Sequence, residues 1–226
     1  MQAPNFSFSI GDDIRAAAPR YTLLAIELDI DNKPTSDALW CEIQAAAAAV
    51  ARDFRMEEIR LRPAIDATRI AYKALGKEPN RYRPSAEALS RRAVKGLELY
   101  RTLTAIDLIN LISLRTGISI GGFDADRIDG THLAYGRGRV GEPYEAIGRG
   151  PLNIDGLPVW RDAIGGIGTP TSDNERTKLS EHTRRLLMTV NIYHEMTRNE
   201  IDALASEIIA AFERHAAATN PRVAVI

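Results

Sequence analysis

Gly165, Gly166 and Gly168 stand directly ahead of Thr169, Thr171, Ser172, Asp173 and Arg176 in a chain of 226 residues. Glycine amides can approach a ligand closely, and here hydroxyl, carboxylate and guanidinium groups follow within a few positions. Such a combination makes the wall of a pocket for a small polar molecule. The enclosing stretch, 148–177, holds six glycines and three prolines between short apolar pieces, so turns and short strands are expected rather than helix. The simpler alternative is a tight connection whose polar side chains only satisfy turn backbone.

A second candidate is Arg81-Tyr82-Arg83, just ahead of a helix expected from Ser85 to about Lys95. Ser85 would cap it, Glu87 would favour its positive end and Gly96 would stop it. Backbone donors and guanidinium groups at such a place could jointly hold an anion. With Arg91, Arg92, Lys95 and Arg101, the pair Arg81 and Arg83 would form a phosphate-binding face, although a solvated helix face is the commoner meaning of such a run.

Other patterns carry less. Gly136-Arg137-Gly138-Arg139-Val140-Gly141 fits the dinucleotide fingerprint in letters, but Glu142-Pro143 follows where a helix must begin, so a hairpin turn is expected. Asp124-Ala125-Asp126-Arg127-Ile128-Asp129-Gly130 has its third acid out of register for a calcium loop and reads as a turn. His132, His182, His194 and His215 lack metal-ligand spacing, and no Ser-His-Asp or Cys-His signature occurs. No metal and no cofactor are expected. Cys41, the single cysteine, excludes an internal disulfide and cysteine-rich metal sites, and it falls in an apolar helical pattern as a core residue.

A formal net charge of -1 gives no global argument for a polyanion partner, so any contact with nucleic acid must be local. The N-terminal stretch lacks a basic start followed by an apolar run, and no run of about 18 apolar residues occurs. A soluble cytoplasmic protein with no membrane contact is the expectation, as one domain over 1–226 without internal repeats.

The elements that must position these residues follow from periodicity. Phe6, Phe8 and Ile10 alternate as in a strand, and 21–30 is a second, more apolar strand that could share its sheet. Pro34, Thr35 and Ser36 open a helix with an alanine run; another spans 65–75 and ends at Gly76 with a left-handed cap. Thr104 with Asp107 starts a helix that is apolar around most of its circumference and ends at Gly117. Asn110 is its odd residue: it either pins neighbouring backbone, the commoner role, or reaches the pocket. In the strand 118–123, Gly121 and Gly122 would let a ligand or another backbone come close. Asp155-Gly156 signals a hairpin, 184–193 a buried strand, and Thr197 with Glu200 a capping box for the last helix. The tail from Thr219 should be loosely held.

The runs AIDLINLISLRTGISIGGFDADRIDG, RDAIGGIGTPTSDNERT and RRLLMTV, with RYRPSAEAL before them, together resemble the B3/B4 domain of the phenylalanyl-tRNA synthetase beta subunit in its free-standing form. The resemblance covers 61–193. It implies an α+β fold, a mixed β-sandwich core flanked by α-helices, and a pocket that in the synthetase hydrolyses tyrosine wrongly attached to the tRNA for phenylalanine. Two editing-site groups are missing: Gly121 stands where the synthetase domain has a histidine, and Ile167 where it has a glutamate. Phe123, Asp124, the pair Gly165-Gly166, and Asn174, Glu175 and Thr177 match.

Three functions follow as expectations. A trans-editing hydrolase would take a mischarged aminoacyl-tRNA, with the ammonium near Asp162 or Asp173, the oxyanion on the glycine amides and water placed by Thr171, Ser172 or the terminal ribose hydroxyl rather than by a strong base. Asp162, Thr171 and Ser172 are then the catalytic candidates. Arg81, Arg83, Arg161 and Arg176 would meet terminal phosphates, while Tyr82, Asn110, Gly121, Gly122, Gly165, Gly166, Thr169 and Asp173 complete the binding set. The second function is a module that binds tRNA or a free amino acid without chemistry, as the missing histidine and glutamate favour. The third is an enzyme acting on an unrelated small amino compound in the same pocket.

Overall fold

The structure, a computed structural model, describes residues 2–226. In chain order its elements are β1 (Ser7–Ile10), α1 (Asp12–Ala17), β2 (Thr22–Asp29), α2 (Asp37–Asp53), α3 (Pro63–Ala74), α4 (Ser85–Val94) and α5 (Thr104–Thr116). There follow β3 (Ile120–Asp124), β4 (His132–Arg137), β5 (Glu145–Ala146), β6 (Gly150–Pro151), β7 (Pro158–Arg161), β8 (Gly166–Gly168), β9 (Arg185–Ile192), α6 (Arg198–Ala216) and β10 (Thr219–Val225). One four-stranded sheet has the order β10-β2-β9-β3 and a second the order β1-β4-β7-β8, while β5 and β6 form a separate pair. Only β1 and β4 run parallel; the other pairs are antiparallel.

Burial on both faces of β2 and β9 explains why those strands are apolar without alternation. Leu24, Ile26, Leu28, Met188 and Val190 pack on Leu39 and Ile43 of α2, Leu108 and Ile112 of α5, and Ile208 and Phe212 of α6. Their other faces, with Leu23, Ala25 and Leu187, meet Ile10, Leu133, Tyr135, Trp160 and Ile167 of the second sheet, and Phe6 just ahead of it. The result is helices, sheet and sheet in three layers, the α+β sandwich that the sequence leads one to expect.

Several local expectations are corrected. β1 and β2 lie in different sheets, because β1 pairs with β4. The cap of α4 is Pro84, without a side-chain bond; the Ser85 amide instead donates to the Pro170 carbonyl at 2.7 Å. Asp107 closes no box with Thr104. Its carboxylate takes the hydroxyl of Thr35 and both the amide and the hydroxyl of Thr102. The Asp155-Gly156 turn forms with Gly156 at φ 74°, but β6 and β7 on either side of it pair elsewhere. The segment 138–142 turns without closing a hairpin, since β4 pairs with β7 rather than β5. Cys41 is exposed, on the outer side of α2. The tail from Thr219 is not loose: β10 pairs with β2 along the sheet edge. The Thr197–Glu200 capping box is present at the start of α6.

Three contacts fix α4, α5 and the 169–173 loop against each other, and so hold the site. Arg62 donates to Ser90 Oγ and to the carbonyls of Leu114 and Arg115, tying α4 to the end of α5. A buried ion pair, Arg69–Glu87 at 2.8 Å, joins α3 to α4. The Tyr72 and Thr171 hydroxyls meet at 2.9 Å, anchoring the loop on α3.

Candidate functional site

Between α4, α5, β3 and the 169–173 loop lies a cavity of about 320 Å3. One face of α5 presents Ile106, Ile109, Asn110 and Ser113 to it, α4 presents Ser85 and Leu89, and β3 presents Ile120 and Gly122. The loop closes it with Thr169, Thr171, Ser172 and Asp173; Ile147, Arg149, Lys178 and Leu179 complete the mouth. One wall is aliphatic and the other is rich in hydroxyls, so the cavity fits a molecule with an apolar and a polar end.

Asp173 is the only carboxylate in that lining. Its Oδ2 accepts from the Gly122 amide at 3.1 Å. Burial pushes its pKa up to about 7, against the opposing pull of that single amide bond. A carboxyl at the neutrality point can take a proton from water or hold a cation, as its charge state requires. Gly122 is what lets the amide come so close: a Cβ there would stand 2.5 Å from Ile109 Cδ1.

The remaining loop groups are partly engaged by their own turn. Thr169 Oγ1 accepts from the amides of Thr171 and Ser172 and donates to the Ser172 carbonyl. The Thr171 hydroxyl donates to the Tyr82 carbonyl and meets Tyr72. Ser172 Oγ makes only a long bond, 3.4 Å, to the Asp173 carbonyl. Asn110 does not pin backbone; its side chain makes no hydrogen bond among the described residues and faces the cavity.

The cavity opens into a groove of about 530 Å3 lined by Arg83, Arg91, Arg92, Lys95, Tyr100 and Arg149, among others. Ser85, Leu89, Asn110, Arg149 and Thr171 belong to both walls. The groove has five cationic side chains and no acidic one in its lining. Arg149 forms no ion pair among the described residues. Arg83 keeps a buried Nε without a hydrogen-bond partner, 3.5 Å from Glu87.

Other sequence candidates sit elsewhere. Asp162 is outside the cavity: its carboxylate is wholly covered, held by Arg176 at 2.8 Å and by the amides of Asp129, Ile164 and Gly165. Burial raises its pKa, but Arg176 and the amides of Asp129 and Gly165 outweigh that and hold it below the usual carboxylate range. Arg176 is thereby engaged too. Arg161 grips Glu142 at 2.6 Å. Gly165 turns onto Asp162, and Gly166 packs in β8 where a Cβ would meet Tyr144 at 2.9 Å. Gly121 faces away from the cavity, since a Cβ there would meet Phe123 and Thr189 at 2.7 Å. Arg81 lies over the Tyr82 ring, as does Lys77, and lines neither space; Arg101 pairs with Asp37.

Sequence reasoning missed Arg149 and Lys178 and the aliphatic wall of Leu89, Ile106, Ile109, Ile120, Ile147 and Leu179. The period of α5 would have found part of that wall, because Ile106, Ile109, Asn110 and Ser113 recur at helical spacing. A lone arginine between Gly148 and Gly150 gave Arg149 no comparable signal.

These features define a class, an α+β domain with an acid-bearing cavity that continues into a basic groove. The sequence matches the family model described as the B3/4 domain over residues 67–225, most of the chain, and the protein belongs to that family. Its fold is similar to that of an N-terminal fragment of the phenylalanyl-tRNA synthetase beta-subunit from Pyrococcus horikoshii, at 14% identity and a TM-score of 0.52. The likeness covers 98% of this chain and 52% of that one, so the chain spans about half the length of that structure. No curated protein matches the sequence. The family match runs on through α6 and β10, beyond the 61–193 over which the sequence motifs carry the resemblance.

Proposed function

We propose that the protein recognises aminoacyl-tRNA and hydrolyses the ester of a mischarged one in trans. The observation that carries this reading is the shared wall of cavity and groove. A small amphipathic cavity alone would fit a free amino acid; a groove of cationic side chains continuing from it fits an amino acid still attached to a polyanion. Kinship with a domain of the phenylalanyl-tRNA synthetase beta-subunit family supports the same substrate class.

In this reading the aminoacyl group enters the cavity and the phosphates lie along α4. Asp173, rather than Asp162, takes the proton from the attacking water, and a pKa near the working pH suits a general base. The water oxygen bonds to the carbonyl carbon, the ester bond breaks, and the ribose hydroxyl leaves with the proton. Ser172 Oγ is the least engaged hydroxyl of the loop and can donate to the developing oxyanion. An aminoacyl ester is already activated, so this small set suffices.

A second reading, binding without chemistry, draws on Gly121 and Ile167. Where the resemblance places a histidine and a glutamate, these two residues offer no acid or base. The experiment that separates the two is deacylation of a panel of correctly and wrongly charged aminoacyl-tRNAs by the purified protein, with Asp173→Asn and Ser172→Ala beside it. Release of an amino acid that Asp173→Asn abolishes supports hydrolysis. Retention of tRNA at low salt with no release leaves the binding module, and neither release nor retention rejects both.

A further inference from the structure

Hydroxyls inside a helix ordinarily turn back on it. Beyond the first turn of their helices, Thr68 donates to the Ala64 carbonyl, Ser90 to that of Ala86, Thr116 to that of Ile112 and Ser206 to that of Asp202, each four residues back. Ser113 of α5 is the exception. Its hydroxyl makes no hydrogen bond among the described residues, although the residue is only 4% exposed. It belongs to the lining of the cavity and not to that of the groove. The same lining holds the aliphatic side chains of Leu89, Ile109 and Ile120. A ligand that fills the cavity shuts solvent out, so its own atoms must then serve the Ser113 hydroxyl or leave it stranded.

Resting on the aminoacyl-tRNA reading above, we infer that Ser113 is the specificity-determining residue of the cavity, and that the aminoacyl group it selects carries a hydroxyl on its side chain. Ser113 does not meet the reacting ester. Ile109 packs on Gly122, whose amide donates to Asp173, and Ser113 lies one helical turn further along the same face of α5, about 6 Å away by helix rise. That separation puts its hydroxyl beside the substituent on the α-carbon. A hydroxyl both donates and accepts, so it serves another hydroxyl in either sense. The aliphatic part of the lining takes the carbon atoms of the same side chain. An apolar side chain of equal shape would gain that wall too but would strand Ser113 on entering, and this difference is the source of selectivity.

The test is isothermal titration calorimetry with L-amino acid amides, which keep the ammonium and carbonyl of an aminoacyl ester but resist hydrolysis. They are compared in pairs that differ by one hydroxyl: threoninamide with valinamide, tyrosinamide with phenylalaninamide, and serinamide with alaninamide. In the pair that fits, the hydroxylated member should bind about tenfold tighter. Ser113→Ala should level that pair by weakening the hydroxylated member alone; alanine suits a helix interior, so the fold is kept. Equal binding within every pair, preference for an apolar member, or a preference that survives Ser113→Ala would overturn the inference. The same amino acids are then compared as aminoacyl-tRNAs with both proteins, and if no amide binds, release or retention of these decides by the same criteria. Discrimination among amides that Ser113→Ala removes, with no charged tRNA released or retained, keeps Ser113 in its role and rejects the aminoacyl-tRNA reading. Equal release of both members of every pair keeps that reading and rejects the role of Ser113. If no amide binds and no charged tRNA is released or retained, both fall.

Discussion

Asp173 and Asp162 lie within one glycine-rich stretch, yet they differ in their chemistry. Asp162 is surrounded by a guanidinium and backbone amides, which fixes it as an anion. Asp173 has one amide bond and no guanidinium partner, and burial holds its proton to about pH 7. Two consequences have opposite signs. Deacylation that uses the Asp173 carboxylate should rise with pH through about 7 and level off above it, and Asp173→Asn should lower the rate by roughly 100-fold or more at the plateau. Because the folded-state pKa lies above the unfolded value, ionising Asp173 disfavours the fold. Stability should therefore fall as pH rises between about 4 and 7, and Asp173→Asn should remove that fall, gaining roughly 1–3 kcal/mol at pH 8 by urea denaturation once its partial exposure is allowed for. The stretch 148–177 was legible in the sequence as a source of chemical groups. Choosing between its two aspartates was not, because the choice depends on Arg176 and Gly122, and the second of these is brought in by a strand remote in sequence.

Among the elements, α4 has two duties: its outer residues Arg91, Arg92 and Lys95 line the groove, and its inner Glu87 accepts Arg69 in the core. Glu87→Ala would leave the Arg69 guanidinium, 8% exposed, buried without its partner, and should cost about 3–5 kcal/mol in chemical denaturation. A Glu87→Leu, Arg69→Met double substitution should recover most of that. A loss equal in single and double variants would instead mean that the pair contributes only packing. The groove side makes an electrostatic claim. Arg91→Glu with Lys95→Glu should weaken single-stranded RNA and flatten the dependence of log K on log salt by about 1.4, the share of two phosphates at roughly 0.7 each. An unchanged slope would place the phosphates elsewhere. Helix positions were readable because period, caps and terminal glycines are local signals: Gly76, Gly96 and Gly117 all end helices at positive φ. Sheet membership was not readable, since the pairing of β1 with β4 joins residues that no local pattern links. β10 was hidden too, for Pro221 and a run of half-buried residues at an edge look like a tail.

At the scale of the molecule, the overall class was legible because motifs and periodicity agree, whereas the mouth of the cavity was not, because its walls come from α4, α5, β3, the β5–β6 pair and the loop before β9. Only the closed three-layer arrangement brings those together. It also leaves β2 and β9 without a solvated face, each flanked by strands at both edges. No partial opening can bring water to the amides of Leu24–Leu28 or Leu186–Val190 while the helices and the second sheet stay in place. Their exchange with deuterium should therefore proceed only through complete unfolding, at a rate that reports the global free energy, and should slow and quicken together when a distant substitution changes stability. The β5–β6 pair over the cavity, a two-stranded piece outside both sheets, should exchange far earlier. Mass spectrometry of peptic fragments would read both, and early exchange in β9 would mean that the layers can part without the chain unfolding.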